Sequence, residues 1–457
     1  MIRKLLSIIF LVCSFLGFAQ VSPTISSWLQ NTTQIGTYYV SGNSTAISNN
    51  ILANCQKVEY STNYVYVTAT GVPSYATGPF SDGNPSTAQN QNAIFQFPLN
   101  PTSNSGNPIS TNGGNIGVFI NGVAVFDYRD GVAWNPNTNS LCGGPGNPPC
   151  PGGPMASMDW NRDAIPAEMD GFDCSKGHPA MGNYHHHQNP SAFKVDLTVL
   201  SNICNLYDAD GLYTPDSNSH SPLIGFAYDG YPIYGAYGYK NIDGTGGIVR
   251  IKSSYQLRNI TTRTNGPSVG QVITVTGPTG TSLQTLFLGY FREDYEYVIN
   301  VGNDYLDEHN GRFAITPEYP SGTYAYYATV DENWNSSYPY LIGPTFFGNA
   351  SNRKVNSINE TTTTYTSTVG NIEFQDSDVS VFPNPASDLI AIQFNGLVVD
   401  DIRVELLDKM GRLIQSKKIS KGSTITYFDT QSVYHGTYIL RLTSNNKEVT
   451  RKIQIIK

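Results

Sequence analysis

The chain has 457 residues, a formal net charge of −8 at pH 7, 39% hydrophobic residues and only 14% charged residues. The length fits two or three domains, and the low charge, with 43 Gly and 30 Tyr, is typical of an extracellular β-protein with long loops. The acidic body has no Lys/Arg stripe, which argues against nucleic-acid binding because phosphates require clustered cations.

The first residues have the features of a secretory signal. Arg3 and Lys4 precede an apolar run from Leu5 to Phe18, which is followed by Ala19. We therefore expect residues 1–19 to be a cleaved signal peptide. That run is too short to span a bilayer stably, and no other apolar stretch approaches the roughly 18 residues that a membrane helix requires, so we expect no transmembrane segment.

The body that follows is predicted to be mainly β. Residues 20–112 form its N-terminal β-rich part, where the β-branched and aromatic run 64–68 predicts a strand. In residues 117–126, Asn121-Gly122 lies between two apolar runs, which is a strong hairpin signal.

Long Gly/Pro loops are expected between the strands. Residues 135–154 are rich in Gly, Pro and Asn and predict a loop, and residues 157–169 are the most plausible short helical stretch. Strand-like runs return between about 272 and 340. The predicted fold class is thus a β-rich body with long Gly/Pro loops.

Five cysteines remain after the predicted cleavage, so at least one is unpaired. Cys142 and Cys150 bracket a short Gly/Pro loop, and a disulfide between them would contribute roughly 2–3 kcal/mol. A second bridge between Cys174 and Cys204 would leave Cys55 free. Sequence alone leaves this connectivity open.

A histidine cluster is the most chemically biased segment of the body. His185, His186 and His187 are consecutive, and His178 lies seven residues before them. In an extended strand, His185 and His187 would project from one face and His186 from the other, outward face. With His178 folded back across the Pro179–Gly182 turn, three imidazoles could bind Cu or Zn. The alternative is that these are polar strand residues that satisfy backbone groups.

Several ordered motifs place this cluster in a recognisable context. These are residues 177–179, 182–187, 224–235, 306–312, 316–320 and 322–324. Together they resemble the YHYH-domain family over residues 113–343. His186 stands where the family's second Tyr would be, and the two ligand-like positions, His185 and His187, are retained. His309 stands where relatives commonly have Cys, which adds a possible ligand; the resemblance implies no particular activity.

Further side chains could complete a metal site or work beside it. Candidate ligands besides the three histidines are His309, Asp229 and Asp307, and Asp173 is another nearby carboxylate. Glu168 or Glu308 could act as a general base if the metal kept an open position.

Residues 208–211, Asp-Ala-Asp-Gly, open like a calcium loop. The absence of Glu at the twelfth position excludes an EF-hand and leaves a looser Ca²⁺ site or a simple turn.

The body contains a faint internal echo. Gly182-x-Tyr184-His185-His186 recurs as Gly322-x-Tyr324-Ala325-Tyr326, without the histidines. The echo indicates either two related strands or a chance similarity.

The end of the chain is predicted to be a separate domain. Residues 344–377, with a Thr/Ser/Asn-rich core, read as a linker, and residues 378–457 alternate apolar and polar side chains as in a small C-terminal β-sandwich of six or seven strands. An ordinary carbohydrate-binding or immunoglobulin-like sandwich would share this alternation.

Four motifs make the tail more specific, namely residues 379–386, 406–412, 436–442 and 452–454. In this order they resemble the type A sorting domain of type IX secretion, found in Bacteroidetes. The resemblance implies recognition by the type IX secretion machinery and passage through the periplasm and across the outer membrane. The protein would then be released or attached to surface lipopolysaccharide, either secreted or on the outer cell surface.

Three functions remain open for the body. The first is a metal-binding protein that holds Cu or Zn on His178, His185 and His187. The second is a metal-dependent hydrolase or oxidase, and the third is a surface adhesion or glycan-binding module that uses the abundant aromatic residues. The sequence contains no serine-hydrolase elbow, phosphate loop or zincin motif.

Overall fold

The computed structural model describes most of the chain outside its first 20 residues. The described ranges are 21–80, 86–144, 146–153, 158–191, 211–213, 215–277, 280–300, 302–350, 354–366, 379–394, 401–419, 425–444 and 447–457. The predicted signal peptide, Cys204 and residues 208–210 of the calcium-like segment lie outside them, so these three predictions stay untested. Two compact units are present, a body that ends at Tyr365 and a tail that begins at Thr366.

The regular secondary structure of the described residues is mostly β, which confirms the predicted fold class. The body strands are β1 Ile35–Tyr38, β2 Ile47–Leu52, β3 Cys55–Tyr60, β4 Tyr64–Ala69, β5 Ala93–Pro98, β6 Ile109–Ser110, β7 Asn115–Phe119, β8 Ala124–Phe126, β9 Arg129–Asn135, β10 Ser140–Cys142, β11 Asn161–Asp163, β12 His178–Ala180, β13 Asn183–His186, β14 Leu223–Ala227, β15 Pro232–Tyr234, β16 Tyr237–Tyr239, β17 Ile248–Arg250, β18 Tyr255–Leu257, β19 Gln271–Gly277, β20 Gly280–Leu286, β21 Tyr295–Tyr297, β22 Gly311–Ala314, β23 Thr323–Tyr327, β24 Thr345–Phe346, β25 Lys354–Val355 and β26 Thr363–Tyr365. The tail strands are β27 Val379–Phe382, β28 Leu389–Phe394, β29 Ile402–Asp408, β30 Leu413–Ile419, β31 Ile425–Asp429, β32 Gly436–Ser444 and β33 Lys447–Ile455.

Helical structure in the described residues is short. The helices are α1 Pro23–Ser26 and α2 Ala164–Glu168, with 3-10 turns at Met169–Gly171 and Arg292–Asp294. The predicted helical stretch 157–169 therefore contains a single turn of α-helix, and β11 occupies residues before it. No helix among the described residues is long and apolar enough to cross a membrane.

A five-stranded antiparallel sheet, in the order β25-β5-β4-β3-β26, forms one layer of the body. Its apolar positions alternate with polar ones, as in β5, where Ala93, Phe95 and Phe97 are buried. Residues 345–365, which the sequence analysis assigned to the linker, contain β24, β25 and β26, and these pair with β6, β5 and β3. The body thus extends into that segment.

An eight-stranded sheet, in the order β12-β13-β8-β7-β14-β15-β23-β22, forms the other layer. It shares one hydrophobic core with the five-stranded sheet. Trp28 lies in this core, with its ring centroid 5.2 Å from that of Phe97 on the first sheet and 5.3 Å from that of Phe226 on the second. Aromatic burial of this kind is a large stabilising contribution to a β-rich core.

The eight-stranded sheet has an internal pseudo-twofold symmetry. Its central pair, β7 and β14, is antiparallel, with Val118 opposite Phe226. On one side β13 joins β8 in parallel, with His186 opposite Val125; on the other, β23 joins β15 in parallel, with Tyr326 opposite Ile233. An antiparallel outer strand, β12 or β22, completes each half.

The sequence echo belongs to this symmetry, because its two copies are the equivalent strands β13 and β23. A carboxylate in the turn before each outer strand holds the Tyr of each copy. Tyr184 donates to Asp173 at 2.8 Å, and Tyr324 donates to Asp307 at 2.9 Å. The two halves therefore share one construction.

The tail is a two-layer β-sandwich, as predicted. A three-stranded sheet, β27-β28-β31, and a four-stranded sheet, β30-β29-β32-β33, enclose one apolar core. Ile390, Val404 and Leu440 are fully buried there, and Val404 lies between the polar Arg403 and Glu405 along its strand. This pattern is what the alternation in the sequence predicted.

The cysteines follow the predicted pattern as far as they are described. Cys142 and Cys150 form a disulfide, and Cys55 is a free, buried thiol. Burial raises the pKa of the Cys55 thiol. Cys174 is itself disulfide-bonded, and its predicted pairing with Cys204 lies outside the described residues.

Candidate metal centre

Three histidines converge at the edge of the eight-stranded sheet. His178, His185 and His187 each present a ring nitrogen, and these nitrogens all lie within 4.8 Å of one another. The side chains are buried, with relative exposures of 6%, 1% and 3%. Of the predicted ligands, the structure brings these three together.

Local turns position the first two histidines. Asp173 accepts hydrogen bonds from the backbone N–H groups of Ser175 and Gly177, which fixes the turn that leads into β12. A two-residue turn, Met181-Gly182, then joins β12 to β13, and both residues have positive φ, as tight hairpins require. The resulting register places His178 directly opposite His185.

Strand alternation separates His186 from the other histidines. Its Nε2 lies 2.8 Å from the hydroxyl of Tyr75, and its ring packs against Phe119 and Tyr184. The prediction that this position faces outward is wrong, because His186 is only 1% exposed. The five-stranded layer and its loops cover that face, and burial lowers the pKa of His186 to about 3.

Backbone carbonyls set the ring orientation of two histidines. Nδ1 of His185 lies 2.9 Å from the carbonyl oxygen of Asn183, and Nδ1 of His187 lies 2.5 Å from that of Asp127. A carbonyl can only accept, so each Nδ1 carries a proton, and each Nε2 is left to bind a second proton or a metal ion. Such a contact on the far nitrogen is the usual support of a metal-binding histidine.

The two Nε2 atoms face each other at 3.1 Å. Two acceptor lone pairs at this distance repel unless a proton or a metal ion is shared between them. His178 adds to the requirement, because its buried Nδ1 makes no hydrogen bond, while its Nε2 is paired with Oε2 of Glu168. Buried polar atoms without partners are rare and call for a ligand.

Glu168, the last residue of α2, lies beside the three histidines and could supply a fourth donor. Its Oε2 lies 3.2 Å from Nε2 of His178 and 3.4 Å from Nε2 of His187. Asp163 caps the N-terminus of α2 by accepting from the N–H of Ile165, and it also accepts from the hydroxyl of Tyr340 at 2.7 Å. These contacts hold the helix so that Glu168 reaches the cluster.

Three of the six distances among these donor atoms are close to the edge of a tetrahedron around a metal. Ligands about 2.0–2.1 Å from a tetrahedral Zn²⁺ lie about 3.3–3.4 Å from each other. The three distances are 3.1 Å between His185 and His187, 3.2 Å between His178 and Glu168, and 3.4 Å between His187 and Glu168. The three histidine nitrogens as a group are more widely spaced, within 4.8 Å of one another.

Electrostatics around the cluster favour a cation. Burial alone would raise the pKa of Glu168. The neighbouring His178 and His187 lower it by more than burial raises it, so the pKa lies below its usual value. Burial lowers the pKa of His187, and Glu168 more than offsets this effect, so the net pKa is raised. Burial, with smaller effects of His178 and His187, lowers the pKa of His185 well below its usual value. The carboxylate therefore stabilises positive charge beside the neutral imidazole of His185.

Aromatic rings enclose the imidazoles. Phe126 stacks on His185 with ring centroids 3.7 Å apart, and Phe172 packs edge-on against His178 at 4.9 Å. Glu168 is the most accessible of the four donors, with its side chain 26% exposed. Access to the centre is therefore from the α2 side.

The remaining predicted residues lie outside this group. Asp229 accepts from the hydroxyl of Tyr326 and from the backbone N–H of Gly348. His309 contacts Thr345 through Nδ1, at 2.7 Å from the hydroxyl. Both belong to the second half of the sheet rather than to the histidine cluster.

Asp307 and Asp173 have equivalent roles in their halves, since each accepts from a tyrosine and from turn N–H groups. Glu308 is exposed in the turn after Asp307. The sequence suggested Glu168 as a base, and the structure places its carboxylate beside the histidine cluster. The sequence feature that pointed to Glu168 was its position in the predicted helical stretch just before the histidine motif.

Comparison with known protein families identifies both parts of the chain. Residues 94–339, more than half of the chain, match the family described as "YHYH protein". Residues 380–457 match the family described as "Secretion system C-terminal sorting domain". No curated protein matches the chain. The sorting domain implies secretion or location on the outer surface, whereas attachment to lipopolysaccharide stays a prediction. The chain belongs to the YHYH family and carries a type IX secretion sorting domain at its C-terminal end.

Proposed function

We propose that the protein is an exported metal-binding protein whose body holds one transition-metal ion on His178, His185, His187 and Glu168. The main support is the pair of Nε2 atoms 3.1 Å apart, next to a buried His178 ring whose Nδ1 makes no hydrogen bond. A single cation among these atoms removes the repulsion and gives one ring nitrogen of each histidine a partner.

Zinc is the metal we propose first. Three imidazoles and one carboxylate in a tetrahedral arrangement suit Zn²⁺, and the donor spacing supports that geometry. Imidazole also binds copper well, and copper generally binds such sites more tightly than zinc. Copper is therefore the alternative occupant, and the metal found in the purified protein decides between them.

A second candidate function is metal-dependent catalysis, favoured by one observation. Glu168 is the exposed member of the donor set and lies at the end of a five-residue helix. If it leaves the metal, a water or substrate takes the open position, as catalytic zinc sites require. The same residue then acts as a removable ligand or as a base.

The direct test is the metal content of the chain from residue 20 onward, purified without a His-tag. We expect about one equivalent of Zn or Cu by mass spectrometry, lost in a His185→Ala/His187→Ala variant. His309→Ala is the matched control, since it removes an imidazole outside the cluster. Negligible metal in the folded wild-type protein, even after reconstitution with Zn²⁺ and with Cu²⁺, would contradict the proposal.

A further inference from the structure

A separate cavity of about 400 Å³ opens on the body. It lies where β5 and β25 of the five-stranded sheet meet β7, β13 and the end of β14 of the eight-stranded sheet. Its volume falls within the roughly 300–1,000 Å³ of small-molecule sites. The lining residues are Gln91, Ala93, Phe95, Asn115, Asn183, Tyr228 and Lys354.

The lining combines three carboxamides with an apolar floor. Gln91, Asn115 and Asn183 each offer an amide N–H₂ that donates and a C=O that accepts. Phe95 and Tyr228, 3% and 5% exposed, form part of the floor. Hydroxyl groups also both donate and accept, so carboxamides match a ligand that carries many of them.

Contacts within the lining hold it in place. The Nζ of Lys354 donates to the carbonyl of Gln91 at 3.1 Å, and Nδ2 of Asn183 donates to Oδ1 of Asn115 at 3.3 Å. The backbone N–H of Gln91 donates to the carbonyl of Thr70 at 2.7 Å. Preformed walls reduce the entropy lost when a ligand binds.

We propose that this cavity binds a neutral saccharide. The described lining residues include one cation, Lys354, and no carboxylate, so they do not provide the clustered charge that phosphate or a charged peptide needs. Strand addition by an extended peptide needs a sheet edge of several residues, and the edge strand here, β25, has only two, Lys354 and Val355. Carboxamides above an apolar floor fit the hydroxyl groups and C–H faces of a sugar.

The cavity is distinct from the metal centre. None of the four proposed metal donors lines it, and the two sites meet only at Asn183, whose backbone carbonyl orients His185. Saccharide binding therefore does not depend on the metal. Measuring metal content in the same variants shows whether the metal-binding proposal or the saccharide-binding proposal has failed.

The test is isothermal titration calorimetry of the chain from residue 20 onward with cellohexaose, xylohexaose, mannohexaose, maltohexaose and laminarihexaose. We expect at least one probe to bind with one-to-one stoichiometry. Gln91→Ala/Lys354→Ala should weaken that binding at least tenfold and keep the wild-type metal content. Asn333→Ala, which removes an exposed carboxamide outside the cavity, should bind as the wild type does.

Two results would overturn this assignment. One is that none of the five hexasaccharides binds the folded wild-type protein. The other is that a probe binds equally well to the wild type, to Gln91→Ala/Lys354→Ala and to Asn115→Ala, which would place the sugar elsewhere. Circular dichroism of each variant shows that the fold is retained.

Discussion

Replacing Glu168 by Ala removes one of four proposed donors from the metal centre. Structural Zn²⁺ sites with four ligands bind with roughly 10–16 kcal/mol, so an equal share for one donor is about 3 kcal/mol. That share corresponds to roughly a 100-fold increase in the dissociation constant. Oε2 lies within 3.4 Å of two of the histidine nitrogens, and its loss also removes the negative charge that offsets the cation.

The assay is competition for Zn²⁺ against a chromophoric chelator at pH 7.5. Glu308→Ala is the matched control, because it removes an exposed carboxylate that the sequence offered as an equal candidate. We expect wild-type affinity in the control and an intermediate effect in Glu168→Gln, which keeps an oxygen donor. If Glu168→Ala binds Zn²⁺ within about threefold of the wild type while His185→Ala does not, Glu168 is not a ligand and the tetrahedral assignment is wrong.

Other predictions concern the surrounding fold. A Cβ on Gly177 would lie 2.5 Å from the ring of Tyr184, so Gly177→Ala should lower both metal content and the midpoint of thermal unfolding, whereas Gly113→Ala, with open space around it, should change neither. Burial raises the pKa of Asp229 to about 6. The stability that Asp229 contributes is therefore complete below pH 3.8 and is lost as the pH rises through 6. When the pH is lowered from 7 to 4, the free energy of unfolding in urea should rise by up to about 3 kcal/mol more in the wild type than in Asp229→Asn. A constant difference across that range would contradict this. Cys142→Ser should cost roughly 2–3 kcal/mol in the same assay, and an unchanged midpoint would show that the loop disulfide does not stabilise the body.

The histidine triad was predictable because its geometry is local. Two-residue alternation puts His185 and His187 on one face, and a tight turn returns His178 beside them. The position of Glu168 beside the histidines was not predictable, because it depends on Asp163 and on a contact with Tyr340 that is 177 residues away in sequence. Long-range packing, not local pattern, brings this carboxylate to the cluster.

The other errors have the same origin. His186 looked outward-facing in a strand read alone, but Tyr75, 111 residues earlier, covers it. The two- and three-residue strands within 345–365 carry no periodic pattern, so this segment resembled a linker until its pairing with the body sheets was seen. Regular alternation over long strands made the tail sandwich predictable as a whole.

The pseudo-twofold symmetry of the large sheet bears on why the three clustered histidines are present. Both halves keep the carboxylate turn and its tyrosine, but the positions of His178 and His185 are taken by Arg312 and Ala325 in the second half. Tyr327, the last residue of β23, occupies the position that corresponds to His187. The second hairpin therefore has the same fold without any of the three imidazoles.

The second hairpin forms without these imidazoles, so we expect that the first hairpin does not need a metal ion to fold. Metal binding would still raise stability by mass action, by about 4 kcal/mol at a free concentration of 1,000 times the dissociation constant. The body without metal should therefore remain folded, with wild-type circular dichroism, and melt at a lower temperature. Unfolding of the body on chelation would instead make the site a structural one, and the difference between the two halves would then need another explanation.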